Sequence, residues 1–299
     1  MPILEHSAWR HQYFDKHYCP ENVVIPVKDY DAYALNPEYS WAYNKLMVAE
    51  KQGVKCGPHG IEPTFYPVFS KPVYNLEGMG TNSGLIYDKE DYQNKYAPGL
   101  MWCEVFQGQH LSTDIAVIKG KALWFAHTIG HESGLGTFDY WEILEEPNAA
   151  VEGFLSEFIA RYFQNYTGMM NFETIGGKII EMHLRFADQW PDLYGERFVP
   201  ELIRLYAEGK WTLAPVERRG YSVVLFLPPQ QYKKPAPSAY SGLIDGHNVT
   251  SVQISFDEAK PFGQAPMPPG GFRVAIVNGF NLEDCRNVRE LLRPMIKPL

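Results

Sequence analysis

The chain has 299 residues and a formal net charge of -8, with 45% hydrophobic and 21% charged residues. That composition is ordinary for a globular protein of one large domain or roughly two. The acidic balance argues against a nucleic-acid or anionic-membrane partner, both of which need a basic field, although it leaves local basic pockets open. Four cysteines, Cys19, Cys56, Cys103 and Cys285, stand far apart with no CxxC pair, so neither a zinc site nor a disulfide framework is signalled. The N-terminus lacks a basic segment followed by an apolar run, and no stretch approaches ~18 apolar residues, so a reduced cytoplasmic setting is expected and the sequons at Asn165 and Asn248 read as chance.

Residues 1–40 are aromatic and proline-punctuated without sustained periodicity, and read as an irregular N-terminal segment, the remnant of a preceding domain. A short helix is expected from Trp41 to Gln52, ended by Gly53, followed by a Gly/Pro-rich connection and an extended run, TFYPVFSKPV. NLEGMGTNSG is a glycine-rich loop. MWCEVF and STDIAVI read as strands, with Lys119-Gly120-Lys121 turning the second into ALWFAHTI. From Ala149 to Tyr166 the apolar positions Val151, Phe154, Leu155, Phe158, Ile159, Tyr162 and Phe163 keep the 3.6-residue period of a helix. Another helix, Val199–Glu208, closes at Gly209. Beyond Val216 the composition shifts to short strands, SVVLFL, SVQISF and RVAIVN, between Pro-rich loops, with a last helix after Asn281. A boundary is expected near residue 215.

The segment Gly168–Arg185 carries the most chemistry. Ile180, Met182 and Leu184 alternate with Glu181, His183 and Arg185, so one face reads as core and the other as an acid, an imidazole and a guanidinium in succession. Such a hairpin can hold a divalent cation. A two-residue turn at Gly176-Gly177 would set Glu173 opposite Ile180 and away from Glu181. A metal shared by Glu173 and Glu181 therefore predicts a bulged or odd-length turn at Thr174–Lys178. Lys71 precedes the loop Tyr74–Gly84, where glycines free the backbone to approach phosphates, but the loop is neither a Walker A nor a GxGxxG sequence and equally reads as a hairpin turn. Glu104, after an apolar strand, reads either as a backbone hinge or as a strand-end carboxylate in solvent. His127 and His131 are spaced HxxxH without an adjacent Glu and straddle an expected strand end, which does not support zinc.

The order of these elements resembles the ATP-grasp superfamily: an Asn44-Lys45 pair on a helix, Lys71-Pro72, a hinge at Glu104, and a closing phrase, Asn171-Phe172-Glu173 with Ile180-Glu181-Met182-His183-Leu184-Arg185, similar to that of biotin carboxylases. The resemblance covers about residues 41–210. It implies an α+β ATP-grasp fold, two subdomains sandwiching ATP over 41–215, with a small β-rich region over 216–299. It also implies that Lys45 and Lys71 contact ATP phosphates under a loop Glu77–Ser83 including Gly78, Gly80 and Ser83, and that Glu104, Val105 and Phe106 meet adenine. Glu173 and Glu181 would bind magnesium, while Arg185, with Lys71, would face the transferred phosphoryl group.

Two departures from the family pattern stand out. His183 replaces an Asn, which favours manganese or leaves a third ligand to water, and His110 stands where a Glu usually meets the ribose. A full preceding nucleotide-fold domain does not fit in residues 1–40, so substrate recognition is expected in the C-terminal third or in a partner. The implied activity is an ATP-dependent ligase that activates a small-molecule carboxylate as an acyl phosphate for attack by an amine or other nucleophile. The alternatives are a kinase on the same fold and a non-catalytic nucleotide-binding protein; homo-oligomerisation stays open.

Overall fold

The computed structural model describes residues 3–4, 8–74, 76, 80, 82–134, 137–260 and 270–299. In chain order the first half runs α1 (Ala8–His11), α2 (Asp29–Leu35), α3 (Lys45–Lys51), β1 (Cys56–Pro58), β2 (Val68–Pro72), β3 (Gly84–Ile86), α4 (Lys89–Asn94), β4 (Leu100–Glu104), β5 (His110–Ile118), β6 (Lys121–Gly134) and β7 (Thr137–Ile143). The second half runs α5 (Ala149–Tyr162), β8 (Gly168–Ile175), β9 (Lys178–His183), α6 (Phe198–Glu208), β10 (Gly220–Leu227), β11 (Tyr232–Lys233), α7 (Pro237–Gly246), β12 (Val249–Ile254), β13 (Phe272–Gly279), α8 (Leu282–Leu292) and β14 (Lys297–Pro298).

Local chemistry explains most boundaries. The expected helix from Trp41 is interrupted: a 3-10 turn covers Pro37–Tyr43, and the Asn44 side chain accepts from Met47 N at 3.0 Å, which caps a new helix whose first residue is Lys45. Asn148 and Asn281 cap α5 and α8 in the same way. Lys119 (φ 47) and Gly120 (φ 71) make the tight turn between β5 and β6. Gly209 adopts the left-handed conformation (φ 62) that stops α6. The Pro-rich run after β10 leads into α7, which starts on Pro237 at a position where a missing N–H costs nothing.

The strands form a four-stranded sheet, β1-β4-β2-β3, and an eight-stranded sheet, β12-β13-β10-β7-β6-β5-β8-β9. Both faces of the large sheet are buried. Ile115, Phe172 and Met182 pack on one side with Leu155, Ile159 and Phe163 of the α5 region, while Trp124 and Met169 pack on the other with Trp190, Phe198 and Leu202. Two expectations change here. The β-rich region expected from residue 216 is not separate: β10, β12 and β13 continue the large sheet, β10 pairing with β7 from Gly220↔Ile143 to Val223↔Tyr140, while β11 and β14 form a two-stranded sheet. The first forty residues are not merely an irregular lead-in: Ile3, Phe14, Val23, Ile25 and Val27 are buried in the core shared with Trp124 and Phe198. Among the described residues no helix is long and apolar enough to cross a membrane.

The β8–β9 hairpin corrects the expected position of its irregularity. Ile175 pairs with Lys178 across Gly176 (φ 55) and Gly177 (φ 79), so the turn itself is the regular two-residue kind. The bulge lies one step further on, where Thr174 pairs with Ile179 and Glu173 with Glu181, leaving Ile180 as the extra residue. Parity is thereby restored, and Glu173 and Glu181 stand directly opposite each other. The turn is clamped to the segment before β5: Gly176 N donates to Gln109 O at 3.1 Å, and a Cβ on Gly176 would meet Gln107 O at 2.1 Å. Gly176→Ala is therefore expected to destabilise the protein by more than the ~1–2 kcal/mol of the left-handed backbone alone, read by denaturant unfolding. A loss under about 0.5 kcal/mol would mean that the turn and the Gln107 segment can move apart.

Candidate active site

The small sheet docks on the large one at an edge strand, and the contact creates the site. β9 is the last strand of the large sheet, so its outer backbone groups need partners. Gln52, at the end of α3, supplies two: its Nε2 donates to Ile179 O at 2.7 Å and its Oε1 accepts from Ile179 N at 2.9 Å. The bulge residue Ile180 presents its carbonyl to Lys71 of β2, whose Nζ donates at 2.7 Å. Lys45 Nζ lies 3.0 Å from Glu181 Oε2, with both side chains largely buried. Burial lowers the Lys71 pKa from the usual lysine value, opposed by the nearby acidic groups.

Between the sheets is a cavity of about 1130 Å³. Lys45, Lys71, Gly80, Ser83, Glu104, Val105, Phe106, His110, Glu173, Glu181, His183 and Arg185 all line it. Gly78 and Glu77 lie outside the described residues. Ser83 Oγ donates to Gly80 O at 2.6 Å, which shapes the described part of the glycine-rich loop. Glu104 ends β4, with its N–H donated to Lys55 O at 2.9 Å, and Phe69, Cys103 and Phe106 give this end of the cavity an apolar wall.

On the facing wall, alternation along β8 and β9 brings Asn171, Glu173, Glu181 and His183 to one face. Burial raises the cost of the Glu173 charge, but the His110 hydrogen bond (Nε2 to Oε2, 3.3 Å) and the charges of His110, His183 and Lys45 outweigh it and hold the carboxyl at about 2. The same pairing raises the His110 pKa against its own burial. His183 lies on the expected face and is held from behind by Asp29. Its Nδ1 donates to Asp29 Oδ1 at 2.9 Å, and its Nε2 is 4.0 Å from Glu173 Oε1. Burial lowers its basicity, but the Asp29 carboxylate beside it raises it more. Among the described residues no group of three His, Cys, Asp or Glu side chains is placed to hold a metal ion, and Glu173 and Glu181 stand as a pair of opposed carboxylates. Two carboxylates suit magnesium, which keeps waters and phosphate oxygens for its other positions.

Two groups of the site were not assigned a role from the sequence. Asp29, at the start of α2, is buried and accepts Arg185 Nε at 2.9 Å and Nη2 at 2.8 Å as well as His183, across more than 150 residues of chain. Asn171 donates Nδ2 to Asp114 Oδ1 at 2.7 Å and Ser112 Oγ at 2.9 Å; period-two counting from Glu173 could have placed it on the site face. His127 and His131 both lie within β6 and do not straddle a strand end. His127 faces Thr113 and Glu152, and His131 faces Glu142, in separate pairs.

No protein-family model matches the chain, and no curated protein matches it. Solved structures do. L-amino acid ligase from Bacillus licheniformis aligns over 97% of this chain and 83% of its own, with 12% identity and a TM-score of 0.60. Phosphoribosylamine–glycine ligase from Thermotoga maritima aligns over 96% and 86%, with 14% identity and a TM-score of 0.60. Carboxyaminoimidazole ribonucleotide synthase from Aspergillus clavatus, solved with ATP, aligns over 91% and 80%, with 12% identity and a TM-score of 0.55. At such identities the likeness is one of fold, and with the two sheets closing over a lysine-lined and carboxylate-lined cavity, this chain has the ATP-grasp fold.

Proposed function

We propose that the protein is an ATP-dependent ligase that joins a small-molecule carboxylate to an amine or another nucleophile. The observation that carries the reading is the convergence of both lysines, the Glu104 segment, the opposed glutamates and Arg185 on one cavity. The similar structures supply the precedent, since their names are those of ligases and synthases and one holds ATP.

In this reading the adenine lies against Phe69, Cys103 and Phe106, with the backbone of Val105 and Phe106 offering hydrogen bonds beside Glu104. Lys45 and Lys71 offset the charge of the phosphates. Glu173 and Glu181 would hold a magnesium ion, whose chemistry is to neutralise phosphate oxygens and fix their orientation. The substrate carboxylate oxygen bonds to the γ-phosphorus as ADP departs; the nucleophile then bonds to the acyl carbon and phosphate leaves. Arg185, clamped by Asp29, directs its remaining donors at the charge that moves. No side chain of the protein forms a bond in either step, so the work of the site is positioning and charge neutralisation in a cavity shielded from water. His110, on Glu173, takes the place from which the ribose would be contacted.

The test is ADP release from ATP across a panel of carboxylic acids with and without amines. Release that requires both substrates supports the ligase. Release with a hydroxyl compound that ends phosphorylated would show a kinase, and no release with any pair would remove the catalytic reading. Lys71→Ala is expected to weaken ATP binding by roughly tenfold to a hundredfold, the ~1.5–3 kcal/mol of a hydrogen bond to a charged group. Calorimetric titration of the folded variant checks this, and unchanged affinity removes Lys71 from the phosphate site.

A further inference from the structure

The cavity continues beyond the glutamate pair to a wall of arginines that the reading above leaves unused. After β9 the chain crosses the large sheet as the segment Arg185–Trp190. Ala187 N donates to Asp114 Oδ1 of β5 at 2.9 Å, and Gln189 O accepts from Gln253 Nε2 of β12 at 2.6 Å and from Asn278 Nδ2 of β13 at 2.8 Å. This crossing brings Arg185 and Asp188, from one edge of the sheet, toward Arg273 on β13 near the other, and all three line the cavity. Arg10 joins them: it pairs with Asp188, and its guanidinium lies 3.9 Å from the centre of the Trp9 ring. Arg185 is held by both oxygens of Asp29.

Arg273 is different. It is half-buried in the same wall, and its guanidinium makes no hydrogen bond or ion pair with any described residue. Burial pushes its pKa down to about 10, with Arg10 and Arg185 adding to that effect and Asp188 opposing it, so it stays charged at neutral pH. Asp188 pairs with Arg10 and Asp29 with Arg185, so of these three guanidiniums Arg273 is the one with no carboxylate hydrogen-bonded to it among the described residues. A half-buried cation without a partner is costly, and no described residue completes it.

We propose that Arg273 anchors a carboxylate of the small-molecule substrate, with the Arg10–Asp188 pair and Arg185 as its rim. A planar guanidinium fork matches a carboxylate in geometry, and one carboxylate supplies the single negative charge that the Arg273 guanidinium lacks, whereas a phosphate dianion would bring two. What the bound acid is for rests on the ligase reading; the anchoring itself does not need ATP. Binding of acetate, succinate, L-alanine, L-glutamate and inorganic phosphate is therefore measured by calorimetry on the whole protein without nucleotide, for wild type, Arg273→Gln and Arg273→Lys, alongside ATP binding and melting temperature. The expected result has three parts. At least one carboxylate binds wild type more tightly than phosphate does. Its dissociation constant rises at least tenfold in Arg273→Gln and less in Arg273→Lys. The Arg273→Gln protein, without ligand, melts no lower than wild type, because an unpartnered charge has been removed and no structural bond lost. Equal carboxylate binding in wild type and Arg273→Gln, absence of carboxylate binding, preference for phosphate, or a lowered melting temperature would each overturn the proposal. If ATP binds none of the proteins while carboxylate binding still depends on Arg273, the ligase reading fails and the subsite stands.

Discussion

Glu181→Gln is expected to reduce ATP turnover by about two orders of magnitude or more while leaving the protein folded, a loss of roughly 3 kcal/mol of transition-state stabilisation. The substitution keeps the shape of the side chain and removes its charge. Glu181 stands opposite Glu173 because the bulge at Ile180 restores parity, and both carboxylates line the cavity. Two anions held side by side are costly unless cations share them, and here Lys45 serves Glu181 while His110 and His183 face Glu173. An amide at 181 would leave a single full ligand charge for a magnesium ion and would free the buried Lys45 of its partner. Initial-rate ADP release and a thermal melt on the same preparation separate the chemical loss from a folding loss. Turnover within tenfold of wild type in a folded variant would remove the opposed glutamates from the catalytic reading. Lys71, whose Nζ rests on the Ile180 carbonyl rather than on Glu181, would still be in place, so ATP affinity is expected to fall less than turnover does.

Asp29→Ala is expected to lower stability by about 3–5 kcal/mol, the range for removing one partner of a buried ion pair. Asp29 is 6% exposed and receives the guanidinium of Arg185 through two bonds and the imidazole of His183 through a third. Burial opposes its charge, but Arg185 and His183 outweigh burial and hold the carboxyl well below the usual carboxylate range. For an acid with a depressed folded-state pKa, the stabilisation is complete above the unfolded value near ~3.9 and is lost as pH falls toward the folded value. The gap in unfolding free energy between wild type and Asp29→Ala should therefore be widest at neutral pH and narrow below about pH 4. Asp29→Asn, which keeps the size and one acceptor, should recover only part of the loss. Urea unfolding at pH 7 and pH 3 reads both expectations. A gap that does not change between these pH values would show that packing of α2, and not the charge on Asp29, accounts for the destabilisation.

What the sequence determined by itself is what depends on near neighbours in the chain. The period-two alternation Glu181, His183, Arg185 established which side chains share a face of β9, because a strand turns every residue over regardless of what packs on it. The 3.6-residue period of α5, the stop at Gly209 and the cap at Asn281 are likewise local events, each settled by a handful of adjacent residues. Lys45, Lys71, Glu104, Glu173 and Glu181 were legible as a set because each sits in a recognisable local phrase. Other features needed the folded chain. The bulge at Ile180 follows from the demands of an edge strand whose extra carbonyl finds Lys71, a residue 109 positions away. The partnership of Asp29 with His183 and Arg185 joins residues more than 150 apart, and no local pattern marks an aspartate that a distant arginine will choose. Outside the short helices α1 and α2, the apolar residues Ile3, Phe14, Val23, Ile25 and Val27 lie in a core that the rest of the chain builds, so they follow its surface and not a helix or strand repeat of their own. The strands after 215 showed themselves as strands, but only pairing with β7 decided that they extend the large sheet and bring Arg273 to the same cavity as Arg185. Hydrogen bonding between strands is set by which edges meet in space, and a sequence read along its length holds no term for that meeting.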